Sequence, residues 1–526
     1  MSAALYLGVD VGSTSARAGL FDAAGALKGT GKAGFETFRD SVVAEQSSAD
    51  IWRAVCEAVR ASLAEAEAVP GHVGGVGFDA ACSLVVLDEA GGPISVGEDP
   101  ARDVIVWMDQ RATDQAARIN AGEHAVLAYV GGRISPEMQT PKLLWLREER
   151  PESYDRAARF FDLADYLTFR ATGDETRSTC TVTCKWTYLA HEERWDADYF
   201  RAIGLGDIPD GGFARIGSRV AAPGTPLGNG LTEAAAKALG LALGTPVAAG
   251  LIDAHAGGLG TVGGPGADPL RRMAYVFGTS ACTMSSSTGP VFVPGVWGPY
   301  HSAMVPGLWL LEGGQSAAGA AIEALIAMHP ARAEAEALAG DMTLPDWLSA
   351  RAVAMAGDVS AAADLVGPRL VVPDFAGNRA PLADPNRRAV IAGLGLEEDV
   401  DALVRLYVAG LSGLGYGLRQ ILDVQRDHGL AVDEVVISGG AGADPLVRRI
   451  MADAADIPVA IPRTPEPVLL GAAILGAIGA CRYETAQAAM AAMCGDAESL
   501  SPNPEAAEGH AASYKRFLAL QDAAAP

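Results

Sequence analysis

Three short turns rich in glycine and hydroxyl side chains each follow an apolar run and could bind phosphate. They lie at residues 10–15, 278–280 and 438–442. Glycine lets backbone N–H groups approach a phosphate closely, and Ser or Thr adds further donors. Each turn alone is also typical of a plain tight connection. Three of them in the same strand–turn order, spread over both halves of the chain, predict a shared nucleotide site.

Two aspartates directly follow apolar runs, at positions that suit metal binding or proton abstraction. Asp10 follows the run 5–9, where a carboxylate could orient a hydrated Mg²⁺, although Asp-x-Gly is also common in turns. Asp253 follows the run 246–252, where a rigidly held carboxylate could take the proton of a substrate hydroxyl. Asp is also a frequent helix N-cap. The local sequence leaves both roles of Asp253 open and favours the cap.

The first half of the chain contains the elements that would position Asp10. Two apolar runs, 5–9 and 17–21, predict a hairpin joined by the Gly- and hydroxyl-rich turn. Apolar residues at helical spacing predict a helix over 49–68. A Gly-rich buried strand is expected at 73–78, with 83–87 continuing the same sheet. These elements predict an α/β domain around the first turn.

The second half repeats this order of elements. Apolar strands are expected at 246–252, 273–277 and 434–438, and a helix at 444–455. A strand followed by a Gly/Thr/Ser turn therefore occurs at 5–15 and again at 273–282, which indicates duplication at the level of supersecondary structure. We place the domain boundary where Gly and Pro cluster, which predicts domains over 1–262 and 263–495 and a tail over 496–526.

The charge composition narrows the classes of molecule that this protein is expected to bind. The 526 residues carry 40 Lys and Arg against 64 Asp and Glu, a net charge of −24. No excess of cations exists to neutralise DNA, RNA or an anionic membrane, whereas a small phosphorylated ligand needs only a local pocket of donors. The longest uncharged apolar stretch, 468–481, is too short to span a bilayer, and no signal-peptide pattern opens the chain. We expect a cytoplasmic protein that binds neither nucleic acid nor membrane.

The seven cysteines are too few and too scattered for a disulfide framework. Cys180 and Cys184 form the one close pair, and no His or second Cys pair stands at zinc-binding spacing beside them. The sequence therefore predicts buried free thiols at all seven positions.

The ordered motifs of this chain resemble those of the FGGY carbohydrate kinases, of the actin, sugar-kinase and heat-shock-chaperone ATPase superfamily. Within that family the chain is most similar to pentulose kinases of the D-ribulokinase type. The resemblance runs from Leu5 to about Gly479. The blocks that carry it are 8–15, 107–111, 140–146, 180–186, 250–258, 277–280, 312–316, 373–384 and 437–440.

The resemblance implies an α/β fold of two actin-like (ribonuclease H-like) ATPase domains with a cleft between the duplicated domains. It makes Asp253 the catalytic base, which reverses the preference for a cap, and Asp10 the residue that holds Mg²⁺ through water. The implied ATP-binding positions are Gly12, Ser13, Thr14 and Arg17 in the first loop, Gly278, Thr279 and Ser280 in the second, and Gly439, Gly440 and Ala441 in the adenosine loop.

The implied sugar-binding positions are Ala81, Cys82, Asp109, Lys185, Asp253 and Glu312. Trp107 and Arg111 are placed near the sugar, with a core aromatic and a salt bridge to a neighbouring acid as their respective alternatives. The signature around Lys142 fits over only part of its length, so it supports family membership and assigns no site residue.

The implied activity is ATP- and Mg²⁺-dependent phosphorylation of a pentulose, with D-ribulose to D-ribulose 5-phosphate ranked first. Kinases for ribitol, L-ribulose or xylulose are the alternatives within the fold. A catalytically silent ATP- and sugar-binding regulator is the alternative from another class. A chaperone-like ATPase would need a peptide-binding segment after the ATPase core, where only a short acidic tail is expected. The implied partner is a small pentulose or pentitol, and homodimerisation is left open.

Overall fold

Residues 4–525 are described by the computed structural model, and its first half is built around a five-stranded sheet. The strands of this half are β1 (Leu5–Val11), β2 (Ser15–Phe21), β3 (Leu27–Gly34), β4 (Phe38–Asp40), β5 (Val43–Gln46), β6 (Val73–Ala80), β7 (Leu84–Leu87), β8 (Val104–Ile105), β9 (Arg159–Asp162), β10 (Arg177–Ser178), β11 (Val220–Ala221) and β12 (Leu251–Ile252). Its helices are α1 (Ser48–Glu65), α2 (Thr113–Asn120), α3 (Gln139–Glu149), α4 (Pro151–Arg156), α5 (Leu163–Thr172), α6 (Thr179–Trp186), α7 (Ala197–Ala202), α8 (Asp207–Asp210), α9 (Glu233–Leu239) and α10 (Asp253–Leu259).

The second half is built around a seven-stranded sheet. Its strands are β13 (Arg272–Phe277), β14 (Ala281–Ser287), β15 (Trp297–His301), β16 (Trp309–Gln315), β17 (Leu370–Val372), β18 (Val390–Ala392), β19 (Glu434–Ser438), β20 (Val459–Ile461) and β21 (Glu498–Leu500). Its helices are α11 (Gly319–Met328), α12 (Arg332–Ala339), α13 (Leu344–Ala356), α14 (Val359–Ala363), α15 (Val400–Asp427), α16 (Pro445–Ala455), α17 (Pro467–Gly479), α18 (Ala486–Met493) and α19 (Ala507–Ala523).

The two large sheets share one connectivity, which confirms the predicted duplication. The first has the order β12-β6-β1-β2-β3, and the second contains β20-β19-β13-β14-β16. In each, an antiparallel hairpin (β1–β2 or β13–β14) pairs in parallel with a later strand (β6 or β19). Because the carboxyl ends of parallel strands meet at one sheet edge, each half brings its loops together at one edge.

Helix α17 joins the halves by packing its backbone directly on the first sheet and on α10. A Cβ atom at Gly8 of β1 would lie 2.0 Å from the carbonyl oxygen of Leu469 on α17. A Cβ atom at Gly471 of α17 would lie 1.9 Å from the carbonyl oxygen of Ala256 on α10. The small residues of the apolar stretch 468–481 therefore serve close helix–sheet packing in the core. No helix within residues 4–525 is both long and apolar enough to cross a membrane.

Three predictions about the fold were wrong. Residues 84–87 do not continue the first sheet; the chain turns where the Ser83 N–H donates to the Ala81 carbonyl, and β7 enters a separate sheet of order β4-β5-β8-β7-β9. The predicted strand 246–252 is regular only over its last two residues. Cys481 is exposed and Cys56 and Cys282 are only half-buried, although all seven cysteines are free thiols as expected.

The predicted C-terminal tail is folded onto the second half. Strand β21 adds antiparallel to β20 at the sheet edge. Helix α19 buries Phe517 completely and Tyr514 almost completely in a small apolar cluster with Leu370, Val372 and Tyr416. Residues 498–523 are therefore an integral part of the C-terminal half.

Candidate active site

A cavity of about 380 Å³ lies between the two halves, where the predicted residues of both converge. Its wall combines the first hairpin loop, the ends of β6 and β12, helix α6, the second hairpin and strand β16. The predicted site residues that line it are Asp10, Gly12, Ser13, Arg17, Ala81, Cys82, Lys185, Asp253, Ser280 and Glu312. Residues more than 300 positions apart in the sequence thus share one cavity.

Three carboxylates gather at the sheet edge below this cavity. Asp10 on β1 stands in register with Asp79 on the parallel strand β6, and Asp253 directly follows the neighbouring strand β12. Both carboxylate oxygens of Asp79 are buried without a hydrogen-bond partner within residues 4–525. Burial and the adjacent Asp10 raise the pKa of Asp79 well above its usual range. The Asp79 oxygens therefore lack the partners that buried polar atoms normally have, whereas Asp10 is paired with Arg17.

Asp253 is the first residue of α10, and its side chain forms the floor of the cavity. Its Oδ1 accepts a hydrogen bond from the N–H of Ala254 at 2.7 Å, and Ile252 occupies the N-cap position. The cap role that the local sequence favoured is therefore absent from the geometry. Burial, followed by repulsion from Asp10, raises the pKa of Asp253 to about 6. A carboxylate with this pKa, facing a cavity, suits proton abstraction near neutral pH.

Two hairpin loops face the cavity from opposite halves. In the first loop the Gly12 N–H donates to the Ser15 carbonyl, and in the second the Gly278 N–H donates to the Ser280 carbonyl. Ser13 and Ser280 lie on the wall, whereas Thr14, Gly278 and Thr279 lie outside the lining at the exposed loop tips.

Trp107 connects the first loop to the cavity wall. Its indole Nε1–H donates to the Ser13 hydroxyl at 3.1 Å, and its ring lines the cavity. The structure therefore places Trp107 at the site and not in the core.

The predicted adenosine loop lies beside the second hairpin because β19 runs next to β13. Gly439 has a φ of 97°, and a Cβ atom there would lie 2.2 Å from the Phe277 carbonyl oxygen. A Cβ atom at Gly440 would meet no atom within 4 Å. Gly439 is required for the backbone path, and Gly440 faces open space. These two residues and Ala441 do not line the cavity, so their contact with adenosine stays a prediction.

Arg17 is tied to the acidic cluster through the hairpin pairing. It stands opposite Asp10 in the β1–β2 register, and its guanidinium donates to Oδ2 of Asp10 at 2.6 and 2.8 Å. A third N–H donates to Glu466 at 2.8 Å. Arg17 therefore orients Asp10 in this structure, and its predicted contact with phosphate stays a prediction.

Lys185 and Glu312 face the cavity from different halves. Lys185 is on α6, with its ammonium 5.1 Å from the centre of the Trp297 ring. Glu312 is on β16 and is almost fully buried. Burial would raise the pKa of Glu312, but a hydrogen bond from His255 and the charge of Lys185 outweigh it and lower the pKa to about 2. Lys185 and Glu312 thus present a cation and an anion to a polar ligand, beside the other charged residues of the wall.

Asp109 does not line the cavity with the other predicted residues. Its Oδ1 accepts from the Arg111 backbone and Nε, and its Oδ2 accepts from Arg111 Nη2 and from the Ala44 N–H. Arg111 also pairs with Glu45 at 2.9 Å. Of the two roles considered for Arg111, the structure therefore shows the salt bridge to neighbouring acids. This buried network supports the loop that carries Trp107. The predicted sugar contact of Asp109 stays a prediction that this geometry does not favour.

Several cavity residues were missed by the sequence analysis. Glu137, Cys282, Trp297 and Arg379 line the wall. Arg379 lies in a motif block (373–384) that supported the resemblance but received no role, so its presence there was the available signal. The others come from segments without a local pattern.

A buried chain of three side chains, Cys180, His255 and Glu312, extends behind the cavity wall and was also missed by the sequence analysis. Fold contacts bring His255 to Cys180 and Cys184, with the three ligand-type atoms all within 4.8 Å of one another. The His255 Nδ1 lies 3.1 Å from the Cys180 sulfur, and its Nε2 lies 3.3 Å from the Glu312 carboxylate. The position of His255, two residues after Asp253, was the only sequence signal for it.

The duplicated α/β halves and the cavity between them define a two-domain actin-like ATPase fold. Residues 5–260 match the N-terminal domain and residues 273–480 the C-terminal domain of the FGGY family of carbohydrate kinases. An FGGY carbohydrate kinase domain-containing protein from Danio rerio is 42% identical over 533 residues, covering 98% of this chain and 97% of its own. The chain therefore belongs to the FGGY family of carbohydrate kinases.

Two further comparisons concern a related sequence and a related fold. A D-ribulokinase from Saccharomyces cerevisiae is 34% identical over 514 residues, covering 90% of this chain and 72% of its own. The crystal structure of a xylulose kinase from Rhodospirillum rubrum superimposes with a TM-score of 0.79 at 23% identity, covering 99% of this chain and 98% of that one. The latter similarity supports the fold.

Proposed function

We propose that this protein transfers the γ-phosphoryl group of ATP to the 5-hydroxyl of a pentulose, with D-ribulose as the preferred acceptor. The observation that carries the proposal is the place of Asp253, a half-buried carboxylate that lines the cavity together with residues of both hairpin loops, Lys185 and Glu312. The yeast D-ribulokinase similarity supports the choice of sugar.

The residues divide into a phosphate side and a sugar side. Phosphoryl transfer passes through a loose transition state whose charge spreads over the phosphoryl oxygens, so positioning and electrostatics dominate catalysis. The loops at 12–14 and 278–280 offer backbone N–H groups and hydroxyls to that charge, and 439–441 the surface for adenosine. Asp253 takes the proton of the attacking hydroxyl.

The acidic cluster fits a hydrated divalent cation. Asp10 and Asp79 offer carboxylate oxygens, which are the ligands that Mg²⁺ prefers, and both oxygens of Asp79 have no other partner within the described chain. In the proposal, Asp10 holds Mg²⁺ through water, and the ion supplies charge neutralisation for the phosphates. Arg17 keeps the Asp10 carboxylate in place.

On the sugar side, a hydrogen-bond donor and a hydrogen-bond acceptor recognise different groups of an open-chain pentulose. The Lys185 ammonium donates only, so it reads a carbonyl or hydroxyl oxygen, and the Glu312 carboxylate accepts only, so it reads hydroxyl protons. A substrate analogue without the matching group leaves these buried atoms unpaired, which is costly. Together the two side chains set which end of the sugar faces Asp253.

A coupled ADP-release assay tests the proposal. We would measure kcat/KM for D-ribulose, L-ribulose, D-xylulose, ribitol and glycerol with Mg·ATP. We expect D-ribulose to rank first and ribitol, which keeps every hydroxyl, to be its nearest competitor. A clear preference for glycerol or D-xylulose would refute the choice of pentulose, and ATP binding without turnover on any sugar would favour the silent regulator.

A further inference from the structure

A buried chain of three side chains crosses from one half of the protein to the other beneath the cavity. Cys180 and His255 belong to the segment matched by the N-terminal family domain, and Glu312 to that matched by the C-terminal domain. The two contacts made by His255, at 3.1 Å to the Cys180 sulfur and 3.3 Å to the Glu312 carboxylate, use both ring nitrogens. We infer that Cys180 and His255 are positioning residues that hold Glu312 in its sugar-accepting orientation.

Each member of the chain lies on an element that also carries a sugar-facing or catalytic residue. Helix α6 carries Cys180 and Lys185, and α10 carries His255 and Asp253. Glu312 itself lies on β16. The chain therefore fixes the spacing of the three elements from which the proposed base and both sugar contacts project. This inference rests on the proposed sugar phosphorylation.

The sulfur of Cys180 is set up to accept hydrogen bonds. It is fully buried near the start of α6, and it receives the Ile252 N–H at 3.3 Å besides facing the His255 ring. Ile252 is the residue immediately before Asp253, so the same sulfur also anchors the backbone that enters α10. Removing the sulfur therefore affects the chain at two points.

The charges along the chain alternate. Burial would raise the pKa of Cys180, but contacts with Cys184 and His255 outweigh it and lower the pKa to about 5. Burial would lower the pKa of His255, but Cys180 and Glu312 on either side raise it to about 10. The two ring nitrogens of His255 bridge the Cys180 sulfur and the Glu312 carboxylate, and these pKa shifts favour opposite charges on neighbouring members of the chain. The lowered pKa of Glu312 keeps its carboxylate charged at neutral pH, where the side chain lines the cavity.

Steady-state kinetics of Cys180→Ala and His255→Gln test the inference, with the best sugar of the five-compound panel as probe. We expect KM for the sugar to rise by about 10- to 100-fold, the factor that corresponds to losing one hydrogen bond to a charged group. KM for ATP should stay unchanged. Cys180→Ser, whose hydroxyl still bonds to both neighbours, should recover most of the loss and guards against misfolding of the alanine variant.

Cys494→Ala is the matched control. Its thiol is also buried and lies 3.6 Å from the Leu259 carbonyl at the end of α10, outside the chain. It should leave both KM values unchanged. Histidine ¹⁵N NMR gives a readout independent of turnover: the His255 imidazolium signal should be present in the wild type and lost in Cys180→Ala.

The outcomes separate this inference from the proposed function. Wild-type sugar KM in folded Cys180→Ala and His255→Gln would overturn it, as would an equal rise in the KM values for sugar and ATP. A wild-type protein that phosphorylates no sugar would instead refute the proposed function, and a neutral His255 in the wild type would then overturn the charged chain separately.

Discussion

Replacing Asp253 by Asn removes the proposed base while keeping the shape of the side chain. The amide oxygen of Asn can still accept the Ala254 N–H, the one hydrogen bond that the carboxylate makes in the described structure, so the start of α10 should be preserved. A positioned general base contributes ~10²–10⁴-fold to the rate. At 1.36 kcal/mol for each factor of ten, this corresponds to about 3–5 kcal/mol of transition-state stabilisation. We therefore expect kcat to fall by ~10²–10⁴-fold.

The pH profile supplies a second signature of Asp253. A base must be deprotonated to act, and burial with the neighbouring Asp10 places the pKa of Asp253 at about 6. In the wild type, kcat/KM should therefore be half-maximal near pH 6, reach a plateau at higher pH and decline as the pH falls further. The acidic limb should be absent from the residual activity of Asp253→Asn.

Three measurements decide this prediction. The first is a coupled ADP-release assay between pH 5 and 8, run on wild type, Asp253→Asn and Asp433→Asn. Asp433 pairs with Arg271 on the surface and is the control for loss of one carboxylate. The second is ATP binding by calorimetry, which should be retained in Asp253→Asn, and the third is thermal unfolding. Wild-type turnover in a folded Asp253→Asn protein, or an unchanged acidic limb, would show that Asp253 is not the base.

Four further predictions follow from the site and the fold. Lys185→Met should raise KM for the pentulose more than KM for ATP, and equal rises in steady-state assays would contradict its place at the sugar. Gly439→Ala should destabilise the protein by more than ~1 kcal/mol and weaken ATP binding, because its φ is 97° and the new Cβ would lie 2.2 Å from the Phe277 carbonyl oxygen. Gly440→Ala, in open space, is the control in thermal unfolding and calorimetry, and equal behaviour of the two would refute this account of the loop. Phe517→Ala should cost about 3–5 kcal/mol in denaturant unfolding, whereas a loss below 1 kcal/mol would mean that α19 does not stabilise the second half. Small-angle scattering should show a smaller radius of gyration with sugar plus a non-hydrolysable ATP analogue, since loops on both halves must meet the same phosphates, and an unchanged profile at saturation would argue against closure.

The sequence by itself determined the elements whose signals are local. Alternating and helical apolar patterns, interrupted by Gly and hydroxyl turns, were enough to predict β1, β2, α1, β6, β13 and β19 at nearly their observed bounds. The same turns, with Asp10 and Asp253 at strand ends, predicted which sheet edge would carry the site. Ordered motif blocks identified the family, because their residue types and spacing can be read from the sequence without coordinates.

Only the tertiary structure decided which side chains meet. Asp79 became the buried carboxylate without a partner because β6 pairs with β1 in a register that sets it beside Asp10. Asp109 turned away from the cavity because Arg111 and the Ala44 N–H occupy its oxygens. These outcomes depend on strand register and on competition for hydrogen bonds, neither of which is encoded in a local pattern.

The dependence on non-local contacts also explains which features of the protein the sequence analysis misjudged or missed. Residues 84–87 read as a continuation of β6, but the turn at Ser83 sends them to another sheet. The acidic C-terminal segment looked like a tail, yet it buries Phe517 against partners more than 100 residues away. Cys180, His255 and Glu312 are 75 and 57 residues apart in sequence and meet only after both halves fold. Contacts between residues so far apart in sequence depend on how sheets and helices pack. The sequence therefore indicated the type of chemistry, and the packing determined which residues lie close enough to perform it.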